Sequence, residues 1–326
     1  MLPRSVDPFL LALAGTVALA SVLPATGAVA TAMGGVATGA IMLLFFLHGV
    51  RLPRENLKAA LLHWRLHVLV LGITFAAFPL VGLALSWLAP GLLPPALWVG
   101  VLFLCALPST VQSSIAFTSM AGGNVAATVA SAAVSNLLGI LLTPVILGLL
   151  VSVQGGAVSL SGVWKIVLQL LLPFALGHAL RPWLGSWAVR QKAILTWTDR
   201  GTIVLAVYSA FSLAVVQGLW QQLPLATLLA VTAVTGVLLA LALWGSWVAA
   251  GRLGFAPADQ RTVLYCGGLK SLVSGVPMAR VLFPGPEVGM AVLPVMIFHQ
   301  LQLMVCAGLA RRQGAAAAAG ARNTEQ

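Results

Sequence analysis

The stretch CGGLKSLVSGVP, residues 266–277, interrupts an apolar run that extends from residue 261 to residue 283. It contains glycines, a proline and Lys270, all of which are unfavourable in the middle of a membrane helix. A second apolar run, 96–119, is interrupted by LPSTVQSS at residues 107–114. Broken helices are tolerated in a bilayer where their freed backbone groups are buried in protein or line a water-filled cavity. The two breaks therefore indicate a membrane transporter whose binding site lies at the breaks.

The composition of the chain requires a lipid environment. Of the 326 residues, 60% are hydrophobic and 7% are charged, and the mean hydropathy is +1.04. A soluble domain carries about 25% charged residues, so this chain has too few charges to cover a water-facing surface. The apolar runs are continuous rather than alternating, which favours helices over an outer-membrane barrel.

The apolar runs predict an all-α polytopic membrane protein of about ten transmembrane helices. The predicted spans lie near residues 8–25, 30–50, 67–89, 96–119, 124–152, 163–182, 201–219, 224–251, 261–283 and 287–310. None of the six acidic residues falls in the interior of a predicted span, although Glu287 stands at the start of the tenth. Both breaks do, one in the fourth span and one in the ninth.

The basic residues indicate the orientation in the membrane. All but three of the 17 Lys and Arg lie at the termini and in loops on one side of the predicted spans; the exceptions are Lys165, Lys270 and Arg280. Because basic residues concentrate on the cytoplasmic side, both termini are expected in the cytoplasm and the chain in the inner membrane. The same bias explains the net charge of +11, so no nucleic-acid partner is expected.

The positions of the breaks suggest two structural repeats. Each break lies in the fourth span of its half, and halves with an odd number of spans can be related only by inversion in the membrane. We expect a first five-helix repeat over residues 1–152 and a second, inverted repeat over residues 153–312. Residues 313–326 are expected to form a disordered cytoplasmic tail.

Around these breaks the sequence resembles the bile acid:sodium symporter superfamily. The resemblance covers nearly the whole chain and is strongest from GNVA at residues 123–126 to LLTP at residues 141–144. Residues 266–278 are similar to the branch that includes member seven of solute carrier family 10 and its bacterial relatives. The resemblance implies about ten spans, arranged as a core domain and a panel domain, with the broken helices four and nine crossing each other.

The resemblance also implies where ions would bind. Sodium-coupled members bind two sodium ions near the crossing of the broken helices. Ser113 and Ser114 stand here in place of a Ser-Asn pair, and Thr128 keeps a hydroxyl in the fifth span. These three side chains could form at most a weak sodium site of neutral oxygens.

Three further positions depart from the sodium-coupled pattern. Cys266 stands in place of a glutamate that serves both ions, and Lys270 and Thr74 each stand in place of a glutamine. A sodium ion would face the Lys270 ammonium, and two unit charges about 4 Å apart repel by roughly 4 kcal/mol at an effective dielectric constant of 20. We therefore expect transport that is independent of sodium or coupled to protons. Sodium-coupled symport of a bile-acid-like or carboxylate solute is the alternative.

Lys270 is the strongest functional candidate, because a lysine inside the membrane is costly. It could act as a built-in cation that replaces sodium, stabilises the crossing and attracts an anionic substrate. It could instead carry protons, so that its alternate protonation couples transport to the proton gradient. The alternative without a function is that the Lys270 side chain snorkels to the membrane interface. At 1.5 Å per residue, however, Lys270 is about 12 Å from either end of its span, which is farther than a lysine side chain extends easily.

Weaker candidates for contact with a substrate or ion are Gln112, Asn136, Ser271 and His299. For Gln112 and Asn136 the alternative is an interhelical hydrogen bond, and for His299 it is a core position bonded to a backbone carbonyl.

The sequence as a whole predicts secondary active transport of a small organic anion by alternating access, with the substrate near the crossing. Two alternatives belong to other functional classes. An intramembrane enzyme using Cys266, Lys270 and His299 is disfavoured, because no carboxylate would orient the histidine and no metal-ligand cluster is present. A non-transporting membrane regulator is the second alternative to a transporter. No cofactor is expected, and the substrate, the coupling ion and the oligomeric state stay open.

Overall fold

The computed structural model describes residues 8–51, 63–153, 167–218, 220, 221, 223–283, 285 and 287–324. The α-helices in this part of the chain are α1 (Pro8–Val22), α2 (Gly27–Arg51), α3 (Trp64–Leu88), α4 (Pro95–Ala106), α5 (Gln112–Met120), α6 (Val125–Val153), α7 (Leu172–Ala179), α8 (Arg181–Arg190), α9 (Lys192–Val216), α10 (Leu225–Arg252), α11 (Pro257–Gly267), α12 (Leu272–Leu282) and α13 (Glu287–Thr324). A π-helical turn, Val167–Leu171, leads into α7. All regular structure among these residues is helical, as predicted. Six of the helices, α2, α3, α6, α9, α10 and α13, are long and apolar enough to cross a membrane.

Both predicted breaks are present. The first separates α4 from α5 at residues 107–111, and the second separates α11 from α12 at residues 268–271. Leu107 is extended, with φ −68° and ψ 152°, as expected for a residue that precedes a proline. Ser271 caps α12, because its hydroxyl accepts a hydrogen bond of 3.1 Å from the N–H of Ser274. Each of the two segments is therefore a pair of half-helices.

The middle of α3 widens into a π-helical turn, Ile73–Ala77. The N–H of Phe78 bonds there to the carbonyl of Ile73, five residues earlier. The next bond in this register would join residue 79 to the carbonyl of Thr74, but Pro79 has no N–H. The Thr74 carbonyl is therefore available to a partner outside α3.

The helices pack in two groups. One group consists of α1, α2, α7, α8 and α9, and the other of α3, α4, α5, α6, α10, α11, α12 and α13, with α9 also packing on α12 and α13. Within the first group α2 and α7 approach very closely. Gly49 lies against the carbonyl of Phe174, and Gly177 lies against the carbonyl of Phe46, so a Cβ on either glycine would collide with the opposing backbone.

Helix α13 continues into the segment predicted to be a disordered tail. It ends at Thr324. The Tyr265 hydroxyl donates a hydrogen bond of 2.9 Å to the side chain of Gln313, and Gly314 packs on the main chain of Met120. Residues 315–319 are all alanine, the residue with the highest helix propensity, which explains why the helix extends.

Asp199 lies in the interior of a long apolar helix, where no acidic residue is predicted. α9 begins at Lys192, well before the predicted start of the seventh span at residue 201, and so includes Asp199, which is 7% exposed. Arg51 in α2 forms an ion pair with this carboxylate, and a buried charge is tolerated when it is paired.

Some predictions fall on residues that the structure does not describe. Residues 154–166, where the second repeat is predicted to begin, lie outside the described ranges, as do the basic residues Arg4, Arg54, Lys58 and Lys165.

Candidate functional site

The two breaks contact each other directly. The N–H of Ser271, in the second break, donates a hydrogen bond of 2.9 Å to the carbonyl of Pro108, in the first. Both breaks are deeply buried, since Ser109 is 0% exposed and Ser271 is 3% exposed. Main-chain groups that leave a helix away from water need partners within the protein. Side chains around this crossing supply many of them.

Lys270 supplies three of these partners at once. Its ammonium donates hydrogen bonds, each 2.7 Å long, to the carbonyls of Thr74, Cys105 and Leu107. An ammonium has three N–H donors, so all of them are used, and the residue is 1% exposed. The ring centre of Phe78 lies 4.2 Å from the ammonium nitrogen, which adds a cation–π contact.

The Lys270 ammonium lies at the carboxyl end of α4. Carbonyls at this end of a helix have no partner in the helix itself and together carry a partial negative charge. Two of them, from Cys105 and Leu107, accept from Lys270, while that of Ala106 accepts a hydrogen bond of 2.8 Å from the Thr143 hydroxyl. A positive charge is therefore held where the helix favours it.

The carboxyl end of α11 has neutral partners instead. The carbonyl of Tyr265 accepts a hydrogen bond of 2.6 Å from the Ser114 hydroxyl. The carbonyl of Cys266 accepts one from the Ser109 hydroxyl. Each broken helix thus caps the other, one through a lysine and the other through serines.

Two side-chain amides fix the course of the main chain through the crossing. Gln302 in α13 accepts a hydrogen bond from the N–H of Lys270 and donates one to its carbonyl, both 2.9 Å long. Asn136 in α6 donates to the carbonyl of Ser109 and accepts from the hydroxyl of Ser274, both at 2.8 Å. The crossing is therefore tied to α6 and to α13.

A cavity of about 410 Å³ lies beside the crossing. Its polar lining includes Gln112, Ser113, Asn136, Ser271, Ser274 and His299. Its apolar lining includes Phe9, Phe45, Val129, Ile140 and Phe174. A mostly apolar wall with a few polar groups is typical of a binding site for a small organic molecule.

Besides His299, four ionisable side chains line this cavity: His48, Arg51, Asp199 and Arg200. The Arg51 guanidinium donates two hydrogen bonds to the Asp199 carboxylate, of 2.6 and 3.1 Å. The Nε2 atom of His48 lies 3.7 Å from the same carboxylate. The Arg200 guanidinium lies over the Phe9 ring, 5.4 Å from its centre.

The predicted site residues fall into two sets. Five line the cavity: Gln112, Ser113, Asn136, Ser271 and His299. Five are buried outside its lining: Thr74, Ser114, Thr128, Cys266 and Lys270. Thr74 contributes a carbonyl rather than its hydroxyl, and that hydroxyl has no hydrogen-bond partner among the described residues.

The three hydroxyls predicted as a weak sodium site have different surroundings. Ser113 lines the cavity, and Ser114 donates to a main-chain carbonyl of α11. The Thr128 hydroxyl lies 3.2 Å from those of Thr118 and Thr262, in a buried group of its own. The contacts of the described residues do not bring the three together.

Three parts of the site are not predicted from the sequence: Ser109, Gln302 and the Arg51–Asp199 pair. Ser109 stands in the polar run after Pro108, and Gln302 lies one helical turn after His299, so both carry a sequence signal. Arg51 and Asp199 are 148 residues apart, and nothing in the sequence indicates that they pair.

The whole chain is similar to known membrane proteins. The profile of the SBF-like CPA transporter family matches residues 7–314. The chain is 53% identical over 307 residues (94% of this chain, 92% of the relative) to an uncharacterized protein of Pseudomonas aeruginosa. It is 52% identical over 309 residues (95% and 93%) to YfeH of Escherichia coli K12, whose name provisionally calls it a symporter. It is 27% identical over 270 residues (82% and 79%) to sodium/bile acid cotransporter 7 of Rattus norvegicus.

These comparisons confirm the predicted resemblance to bile acid:sodium symporters and the transporter class. The family and the relatives' names are those of transporters and not of enzymes, so the intramembrane-enzyme alternative is rejected. Since its profile matches almost the entire length, the chain belongs to the SBF-like CPA transporter family.

Proposed function

We propose that the protein is a secondary active transporter that moves an organic anion by alternating access, with Lys270 in the place of a sodium ligand. Both termini lie in the cytoplasm and the chain lies in the inner membrane. The observation that carries the proposal is the Lys270 ammonium, a cation that belongs to the chain and is held by three main-chain carbonyls at the crossing.

The two helix groups provide the parts that such a transporter needs. About ten spans form two inverted repeats, residues 1–152 and 153–312. The group α1, α2, α7, α8 and α9 acts as the panel domain, and the group that contains the crossing acts as the core domain. The cavity is lined from both sides, by Phe45 and Phe174 of the first group and by Asn136 and Ser271 of the second. Movement of one group against the other would open it to either face.

The contacts of Lys270 favour a built-in cation over the other two roles. Carbonyl oxygens can replace the hydration shell of a monovalent cation, and here they replace that of an ammonium. A proton carrier would give up one of its three hydrogen bonds on deprotonation, because a neutral amine has two N–H donors. Snorkelling is disfavoured, since Lys270 is 1% exposed.

The surroundings of the crossing argue against sodium coupling of the two-ion type. The Ser114 hydroxyl is used on the Tyr265 carbonyl, and Cys266 offers a thiol where a carboxylate would be needed. A sodium ion about 4 Å from the Lys270 ammonium would be repelled by roughly 4 kcal/mol at an effective dielectric constant of 20. Transport is therefore independent of sodium or coupled to protons. The name of the cotransporter relative supports the alternative, sodium-coupled symport.

The experiment measures uptake of a panel of radiolabelled carboxylates, sulfonates and steroid-like anions into proteoliposomes. Each anion is tested with a sodium gradient, a proton gradient or neither, for the wild type, Lys270→Gln and Arg65→Gln. Arg65 is a matched control, since it is a cation that stacks on Phe255, with 5.7 Å to the ring centre, and does not line the cavity.

We expect wild-type uptake that ignores sodium, normal uptake by Arg65→Gln, and uptake by Lys270→Gln that is lost or becomes sodium-dependent. Uptake that a proton gradient drives, and that Lys270→Gln abolishes, assigns the lysine as a proton carrier. Sodium-driven wild-type uptake that Lys270→Gln leaves unchanged refutes the replacement of sodium by the lysine. Absence of flux for every anion under all three conditions favours the membrane regulator.

A further inference from the structure

The charge of an organic anion needs a partner in the cavity, and Lys270 does not supply it. All three N–H donors of the ammonium bond to main-chain carbonyls, and the residue is 1% exposed. It does not line the cavity. A substrate that bonded to this ammonium would have to displace one of its carbonyls.

The charged side chains that line the cavity all lie on two helices, α2 and α9. Arg51 ends α2, and Asp199 and Arg200 are neighbours in α9. Asp199 neutralises Arg51 through two hydrogen bonds, and His48 lies beside the same carboxylate. The cluster therefore keeps one excess positive charge, that of Arg200.

Arg200 is placed to bind an anion. Its guanidinium lies over the ring of Phe9, which holds it without using its N–H donors. No ion pair joins it to a carboxylate in the described part of the chain. A guanidinium presents a planar fork of donors that matches the oxygens of a carboxylate or sulfonate.

The rest of the cavity would suit an apolar body attached to such a group. Phe45, Phe174 and Ile140 supply aromatic and aliphatic surface, and Gln112, Asn136 and His299 supply neutral polar groups at the crossing. The carboxylate of Asp199 is satisfied by Arg51, so it does not compete for Arg200.

We propose that Arg200, with Arg51 held in place by Asp199, is the anion-recognition site of this cavity. Its ligand is an amphipathic carboxylate or sulfonate whose apolar body lies along the Phe45 and Phe174 wall. The proposal rests on the proposed function for the direction of substrate passage, but the site itself can be tested by binding alone.

The experiment uses two probes of almost equal shape, naphthalene-2-sulfonate, which is an anion, and naphthalene-2-sulfonamide, which is neutral at pH 7. Their dissociation constants are measured by isothermal titration calorimetry on the full chain in lipid nanodiscs. The variants are Arg200→Gln, Arg200→Lys, which keeps the charge, Arg65→Gln as the matched control, and Lys270→Gln.

We expect the wild type to bind the sulfonate at least tenfold more tightly than the sulfonamide. Arg200→Gln should weaken sulfonate binding by about ten- to a hundredfold, the range for a hydrogen bond to a charged group, and leave the sulfonamide unchanged. Arg200→Lys should keep part of the preference, which a purely structural contact with Phe9 does not predict. Arg65→Gln should bind both probes like the wild type.

A preference for the sulfonate that survives in Arg200→Gln, or that only Lys270→Gln removes, overturns the inference. So does a wild type that binds both probes equally or neither. Transport is judged separately by adding Arg200→Gln to the variants of the anion-uptake experiment. Flux in the wild type without dependence on Arg200 refutes this site alone. Arg200-dependent binding without flux of any anion refutes the transport proposal alone.

Discussion

Replacing Lys270 with alanine removes a cation but leaves the carbonyls of Thr74, Cys105 and Leu107 that surround it. Each buried polar group left without a partner costs about 1–3 kcal/mol, so the three together cost about 3–9 kcal/mol. Removing the ammonium also removes a desolvation penalty of several kcal/mol, which brings the net loss of stability towards the lower end. With roughly 2 °C per kcal/mol for a large chain, we expect a fall in Tm of about 6 °C.

The same variant tests whether the site accepts a free cation. Alanine leaves space between the three carbonyls, and sodium at about a hundred times its Kd would restore roughly 2.7 kcal/mol. Lys270→Met is the matched control, because its side chain fills the space without a charge. The assay is thermal unfolding of purified protein, followed by tryptophan fluorescence, in a titration of sodium chloride against choline chloride.

We expect sodium to raise the Tm of Lys270→Ala by several degrees and to leave the wild type and Lys270→Met unchanged. A Lys270→Ala variant as stable as the wild type contradicts the assigned cost of the empty carbonyls. An equal response to sodium in all three proteins shows that the ion acts elsewhere.

Two further predictions concern the crossing and the helix packing. Gln302→Leu removes both hydrogen bonds to the main chain of the second break. We therefore expect the stability to fall by about 2–4 kcal/mol and uptake to be lost. A Tm and a flux like those of the wild type would contradict this prediction. Gly177→Ala places a Cβ against the carbonyl of Phe46, whereas Gly39→Ala, in the same packed pair of helices, meets nothing within 4 Å. The first should destabilise by about 1–3 kcal/mol or more and the second should be neutral or slightly stabilising, as measured by Tm; equal values would refute the close approach of α2 and α7.

The main features of the fold could be predicted because they depend on local composition. Long apolar runs give the helices, and the glycines, prolines and polar residues at 107–114 and 266–277 give the breaks. That the Thr74 carbonyl lacks a partner within its own helix could also be predicted, since Pro79 has no N–H to bond to it. The extension of α13 through the alanine run at residues 315–319 could also be predicted, because alanine has the highest helix propensity.

The charged residues that line the cavity could not be predicted, because their pairing depends on contacts between distant parts of the sequence. The charges of Lys192, Asp199 and Arg200 predict a loop before residue 201. Helix α9 instead begins at Lys192, and Arg51 pairs with the Asp199 carboxylate inside it. That partner is 148 residues away, and pairing across such a distance depends on the packing of α2 against α9. For the same reason the sequence does not give the partners of Ser114 and Thr128, and their grouping as a weak sodium site is implied only by the resemblance to sodium-coupled symporters.

The three-carbonyl setting of Lys270 has an electrical consequence. A cation that is part of the chain returns to its starting position at the end of every cycle, so if it keeps its proton it carries no net charge across the membrane. The charge of the anion then crosses without compensation. A membrane potential of 100 mV, negative inside, contributes about 2.3 kcal/mol per unit charge, which corresponds to a concentration ratio of roughly fiftyfold. A transporter whose cation is a fixed lysine would therefore export its anion from an energised cell, and the membrane potential rather than an ion gradient would drive the export.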